Sequence, residues 1–301
     1  MTILDGGMSR ELVRLGAELR QPEWSALALI ETPGIVQRVH EAFIEAGAEV
    51  ITTNSYALVP FHIGEQRFRE QGAALARLSG ELARAAADAG AADGQSRVRV
   101  AGCLPPIFGS YEPEAFEPAR AGAYLDVLVT GLSPSVDLWL GETLSLIAEA
   151  KAVVAATAAT GKPVWISFTL EDRDAPETPE VPRLRSGETV EAAARWALEA
   201  GVAALLFNCS QPEVMAAAVE RAAQVTKAAG SSLPLGVYAN AFEPKRRQGK
   251  ANAGLSGTRE ELTPALYAAF AADWAARGAT IVGGCCGIGA AHIRAIADRL
   301  K

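Results

Sequence analysis

Eight times along the chain a short apolar run gives way to a longer, alanine-rich amphipathic stretch. The runs fall at 2–5, 50–53, 98–102, 138–141, 164–168, 204–208, 235–238 and 281–283. Each is nearly continuously apolar, as a parallel strand covered on both faces must be. Helical patterns lie between and after them, at 34–46, 65–90, 121–132, 143–160, 189–200, 212–229, 261–277 and 288–300. Eight such units in 301 residues predict an α/β chain folded as a (β/α)8 TIM barrel, one domain over 1–301, with a doubly wound open sheet as the competing arrangement.

Local chemistry marks many of the boundaries. Thr32-Pro33 and Thr263-Pro264 each place a capping residue before a proline at the first helical position, and Gln211-Pro212 opens a helix with a poorer cap. Glycine follows the helical patterns at Ala46-Gly47, Ala89-Gly90, Thr160-Gly161, Ala200-Gly201 and Arg277-Gly278, where a left-handed residue can end a helix. Two longer loops, 169–188 and 240–260, follow strands and are expected at the C-terminal mouth, where barrel enzymes keep their chemistry.

Composition narrows the class of function. With 50% hydrophobic and 21% charged residues, the chain has the profile of a globular enzyme. A net charge of -7 argues against nucleic-acid binding, so small molecules are the expected partners. No apolar run is long enough to span a membrane, and the first residues resemble no secretion signal, so a cytoplasmic location is expected. Four cysteines in such a context read as metal ligands or catalytic thiols rather than a disulfide framework.

The unusual polar residues collect where strands end: Asp5, Thr53-Asn54, Glu142, Asn208-Cys209, Asn240 and Cys285-Cys286. A barrel would bring them to one face. Cys209, Cys285 and Cys286 then form a candidate metal site, with soft sulfur favouring a zinc-like ion. Three protein ligands leave one position open, as in catalytic rather than structural sites. A metal held by three thiolates is a poor Lewis acid for carbonyls but suits a fourth sulfur held as thiolate. That chemistry implies alkyl transfer to a substrate thiol. For an amino-acid thiol, Asp5 and Glu142 are candidates to hold the ammonium group, and backbone N–H groups at a glycine turn to hold the carboxylate. Asn54 and Asn240 complete the candidate substrate-binding set, although asparagine serves turns as readily as ligands.

Several stretches, in this order, resemble the homocysteine S-methyltransferase family across essentially the whole chain. They are Leu4-Asp5-Gly6-Gly7-Met8, the run from Ala46 to Tyr56, Glu142-Thr143, Asn208-Cys209, Tyr238-Ala239-Asn240 and Gly283-Gly284-Cys285-Cys286. The resemblance implies zinc bound by Cys209, Cys285 and Cys286, homocysteine sulfur at the open position, and an amino-acid-binding role for Asp5 and Glu142. It implies methyl transfer from a sulfonium or ammonium donor, with S-methylmethionine or S-adenosylmethionine favoured over betaine, to give methionine. Selenocysteine or a related thiol is the alternative acceptor. A metal-binding or thiol-redox protein without methyl transfer is the alternative class. Two stretches depart from the family pattern: Tyr238-Ala239-Asn240-Ala241-Phe242, and Gly287-Ile288-Gly289-Ala290 after the double cysteine. Both bear on the methyl-donor side and leave the cysteines intact. With one helix after Cys286, no folate or cobalamin module is expected.

The remaining candidates have plainer readings. Cys103 reads as a small structural cysteine, and His40, His62 and His292 as structural or exposed residues. Lys245-Arg246-Arg247 reads as a solvated loop tip. Trp24, Tyr56, Phe108 and Tyr111 are candidates either to surround a cationic donor or to anchor the mouth loops. No protein general base is assigned, because attack by a thiolate on a methyl carbon needs none. Oligomeric state is not legible in the sequence.

Overall fold

A strand whose following helix packs back over the sheet is placed beside the next strand and parallel to it. In the computed structural model, which describes residues 1–92, 97–172, 181–243 and 257–301, this happens at every step. The strands are β1 Thr2–Ile3, β2 Val50–Thr52, β3 Arg99–Leu104, β4 Leu138–Leu144, β5 Val164–Phe168, β6 Ala204–Asn208, β7 Leu235–Tyr238 and β8 Ile281–Val282. They form one parallel sheet in the order β1-β8-β7-β6-β5-β4-β3-β2. The ring closes where Leu4 bridges Val50 and the Asp5 N–H donates to Val50 O at 3.0 Å. Sequential order around a closed ring is the (β/α)8 barrel and excludes the open doubly wound sheet.

The continuous apolar runs are explained by two cores. Along β6, Ala204 and Leu206 join the barrel interior, with Leu4, Val50, Ala101, Leu138, Leu140 and Ile281. Leu205 and Phe207 point the other way, into the layer between sheet and helices. Fully burying one such leucine or phenylalanine stabilises the fold by about 1.5–3 kcal/mol, so neither face of the strand tolerates polarity until the strand ends.

The main helices are α3 Pro33–Glu45, α5 Glu65–Ala92, α6 Pro118–Leu132, α7 Ile147–Thr157, α8 Val190–Ala200, α9 Pro212–Ala228, α10 Pro264–Ala276 and α11 Ala290–Leu300. Thr263 caps α10 as expected, its hydroxyl accepting from Leu266 N. Thr32 does not cap α3; its hydroxyl turns back to Ala28 O at 3.3 Å. Gln211 supplies no side-chain cap to α9; instead its own N–H donates to Asp172 Oδ1 at 3.0 Å. Gly90 does not end α5, which runs on through Ala92.

Three short helices, α1 Met8–Arg14, α2 Ser25–Glu31 and α4 Pro60–Ile63, were not legible, being too short to show a helical period. Glu11 of α1 accepts from Ala290 N at 2.9 Å at the start of α11, and Ser25 of α2 reaches the barrel mouth. The expected helix at 143–160 begins late. β4 instead continues to Leu144 with a register shift after Gly141, and α7 starts at Ile147 with the Glu149 carboxylate accepting from Ser145 N at 2.6 Å. No helix among the described residues is long and apolar enough to cross a membrane. Lys245-Arg246-Arg247 and most of the 240–260 loop lie outside the described residues.

Candidate active site and metal centre

Side chains alternate along a strand, so the inward positions can be followed upward from the apolar interior layer. After Ala101 comes Cys103; after Leu140, Glu142; after Trp165, Ser167; after Leu206, Asn208; and Tyr238 closes the inner face of β7. The barrel interior therefore changes from apolar to polar within one layer. Ser167 Oγ donates to Asn208 Oδ1 at 2.7 Å, and Asn208 Nδ2 to Thr143 Oγ1 at 2.8 Å. Asn208 also accepts the Thr143 N–H at 3.1 Å, which pins the bulge at the end of β4 beside Glu142.

Above this layer the three sulfurs meet. Cys209 follows β6, while Cys285 and Cys286 follow β8 through a glycine turn. A Cβ on Gly284 would lie 2.1 Å from Ile288 Cγ2, and Gly287 has φ +84°, so the turn requires glycine at both places. The Sγ atoms of Cys209, Cys285 and Cys286 all lie within 4.8 Å of one another, with Cys209–Cys286 at 3.8 Å and Cys285–Cys286 at 4.0 Å. Sulfurs about 2.3 Å from a tetrahedral ion stand about 3.8 Å apart, so the cluster fits such an ion with little movement.

The sulfurs line a cavity of about 140 Å³ together with Asp5, Asn54, Glu142 and several aromatic side chains. Among its described lining residues there is no lysine or arginine. Among the described residues, the four non-glycine residues with positive φ, Trp24, Tyr111, Thr143 and Cys209, all line this same cavity. Such conformations cost on the order of 1–3 kcal/mol each and persist where surrounding contacts hold them, typically at functional sites.

Burial dominates the carboxylates. It raises the Asp5 pKa to about 8, against the pull of the Thr52 N–H, which donates to Oδ2 at 2.6 Å; the neighbouring Glu142 charge pushes it further up. Glu142 is half-buried and opens on the cavity, and desolvation there raises it to about 7. Cys103, donating to Oε2 at 3.2 Å, opposes that rise, and Cys209 adds to it.

The homocysteine S-methyltransferase family model matches residues 2–300. The chain belongs to this family. Homocysteine S-methyltransferase of Escherichia coli K12 is 31% identical, over 99% of this chain and 94% of its own length. A selenocysteine methyltransferase of Astragalus bisulcatus is 28% identical, over 94% of this chain and 88% of its own. The crystal structure of the homocysteine methyltransferase MmuM from Escherichia coli in its metallated form superposes with a TM-score of 0.80, at 28% identity, covering 99% of this chain and 96% of that one.

In this family member the two asparagines singled out from the sequence have different placements. Asn54 lines the cavity, but its Nδ2 is spent on Ser25 O at 3.1 Å. Asn240 is not among the lining residues; its Nδ2 lies 3.9 Å from Cys209 Sγ and its Oδ1 accepts from Phe242 N. Asn208, read from the sequence only as a strand-end residue, does the same for Cys285, with Nδ2 3.8 Å from the sulfur. Amide donors onto two of the three sulfurs would hold ligand geometry rather than touch substrate. Asn208→Ala is expected to weaken metal binding about 10- to 100-fold, read by competition with a chelator. Unchanged affinity in a folded variant would remove Asn208 from that role.

Trp24, Tyr56 and Tyr111 line the cavity, whereas Phe108 packs edge-on against Phe116 and Tyr124. The Tyr111 hydroxyl lies 2.9 Å from Cys209 Sγ, with the Arg185 guanidinium 5.1 Å over its ring and held by Asp172 at 2.6 Å. Asp172 and Arg185 of the 169–188 loop, of which 173–180 lie outside the described residues, thus reach the sulfur cluster through Tyr111. His40 is fully buried in α3, and burial lowers its pKa to about 4. His62 lines the cavity with Nδ1 2.8 Å from Pro22 O, and His292 receives Gly289 N.

Proposed function

We propose that the chain moves a methyl group from a sulfonium or ammonium donor to the thiol of L-homocysteine, giving methionine, with zinc as the resident ion on Cys209, Cys285 and Cys286. One observation carries the reading: three clustered sulfurs and two carboxylates line a single cavity that has no lysine or arginine among its described lining. When bound, the ion supplies positive charge that keeps a fourth sulfur in its nucleophilic thiolate form near neutral pH.

The chain's own residues orient the partners. Asp5 and Glu142 hold the acceptor's ammonium group, which aims its sulfur toward the cysteines. Trp24, Tyr56 and Tyr111 offer aromatic faces to a methylated cation. The acceptor sulfur takes the methyl carbon as the donor's sulfur or nitrogen leaves with the bonding pair, and the thiol proton passes to solvent. S-methylmethionine and S-adenosylmethionine carry net positive charge, whereas betaine is a neutral zwitterion, so a lining of carboxyl and thiol groups without lysine or arginine favours the sulfonium donors.

Methionine formation by zinc-loaded protein, with each donor offered separately, is the test. Turnover with a sulfonium donor supports the reading, and turnover with betaine alone would reverse the donor preference. The selenocysteine methyltransferase among the relatives favours one second acceptor, so selenocysteine belongs in the same assay. Reversible loss of thiols with oxidant and no turnover with any pair would favour a thiol-redox protein.

A further inference from the structure

We propose that Cys103, which lies outside the three-sulfur cluster, is a positioning residue that sets the Glu142 carboxylate for the acceptor's ammonium group. The inference rests on the reading of Glu142 given above. Cys103 sits on β3 directly beside β4, paired with Leu140, and is completely buried. Its Sγ donates to Glu142 Oε2 at 3.2 Å. One carboxylate oxygen is thereby committed to the barrel wall, while Glu142 still lines the cavity.

The backbone of Cys103 is held on its other side. Its N–H donates to Thr53 Oγ1 at 3.0 Å, and its carbonyl accepts from Ser55 Oγ at 2.8 Å. Thr53 Oγ1 and Ser55 Oγ are themselves 2.9 Å apart, which closes a ring of hydrogen bonds at the end of β2. With its backbone held in this way, the residue directs its thiol onto Glu142 Oε2. Burial and the adjacent Glu142 charge push the thiol well above its ordinary pKa, so it stays a donor. Three of the four cysteines belong to the sulfur cluster, so in metal-loaded protein Cys103 is the thiol that keeps its proton.

The test separates positioning from packing. Cys103→Ala is expected to raise KM for homocysteine roughly tenfold while kcat stays within about twofold, since a hydrogen bond to a charged group is worth about that factor. Metal affinity by chelator competition should not change, and Cys103→Ser, which keeps a donor, should restore most of the KM. Infrared spectra of the zinc-loaded protein should show one S–H band that Cys103→Ala removes. Methionine, which brings no thiol, should move that band, and Glu142→Gln should abolish the movement. An unchanged KM in Cys103→Ala, with KM raised in Glu142→Gln, overturns the role of Cys103 and leaves that of Glu142. An unchanged KM in Glu142→Gln overturns both. A folded Cys103→Ser protein as impaired as Cys103→Ala would assign the residue to packing and also overturn the inference.

Discussion

Cys285→Ala protein should bind no stoichiometric zinc and should form methionine about a thousandfold more slowly than the parent. Two sulfurs remain after the substitution, and a tetrahedral ion held by two protein ligands is poorly retained. The lost charge stabilisation is worth about 4 kcal/mol, which at 1.36 kcal/mol per decade is about a thousandfold. The fold should survive, because Cys285 lies on the rim of the smaller interior core and the cluster joins distant elements of a barrel already closed by hydrogen bonds. Metal analysis and a thermal melt, run beside the activity assay, check all three statements. Full activity in metal-free Cys285→Ala protein would sink the zinc reading. Cys209→Ala and Cys286→Ala should match it, since each supplies one corner of the same triangle.

The second large effect is on pH. Asp5 and Glu142, at about 8 and about 7, are neutral acids below those values and cannot pair with an ammonium group. For acids raised in this way the charged form appears only as pH climbs, so kcat/KM for homocysteine should rise from pH 6 to above 8. The limb belongs to the pair, because each carboxylate feels the other. Glu142→Gln should flatten the lower part of the limb and reduce kcat/KM at pH 8 about a hundredfold, equivalent to roughly 3 kcal/mol for breaking a buried charge pair. A flat profile in the parent enzyme would remove the carboxylates from acceptor binding. The same shifts act on stability with the opposite sense. The native state holds protons that the unfolded chain has released above the ordinary carboxylate range, so these two groups make the ligand-free protein less stable as pH rises toward 8.

Mutual support between neighbouring groups explains why some residues could be read and others could not. Cys285 and Cys286 stand next to glycines that only a tight turn requires, and that local pattern announces a site. Asn208 and Cys103 carry no such mark. Each reads as one polar residue at the end of an apolar run, and only the ring of strands reveals that Asn208 reaches Cys285 and Cys103 reaches Glu142. The sequence leaves Asn240 open between a substrate contact and a turn residue, and only the turn after β7 shows its Nδ2 3.9 Å from Cys209 Sγ. The periodicity puts Thr143 at the start of a helix; its φ of 60° and its two bonds with Asn208 hold it in a bulge instead.

By itself the sequence determined what depends on near neighbours. The eight strand-and-helix units, most helix ends and the position of the cysteines at strand ends follow from periodicity, glycine and proline within a few residues of each boundary. The tertiary structure decided what depends on closure: which inward side chains form the polar layer, how far apart the sulfurs stand, and how strongly the carboxylates are desolvated. Those quantities arise from residues far apart in the chain, such as Asp5, Glu142, Cys209 and Cys285, which line one cavity, and Cys103 behind it. No local pattern encodes a distance between strands, and no single residue sets its own dielectric surroundings.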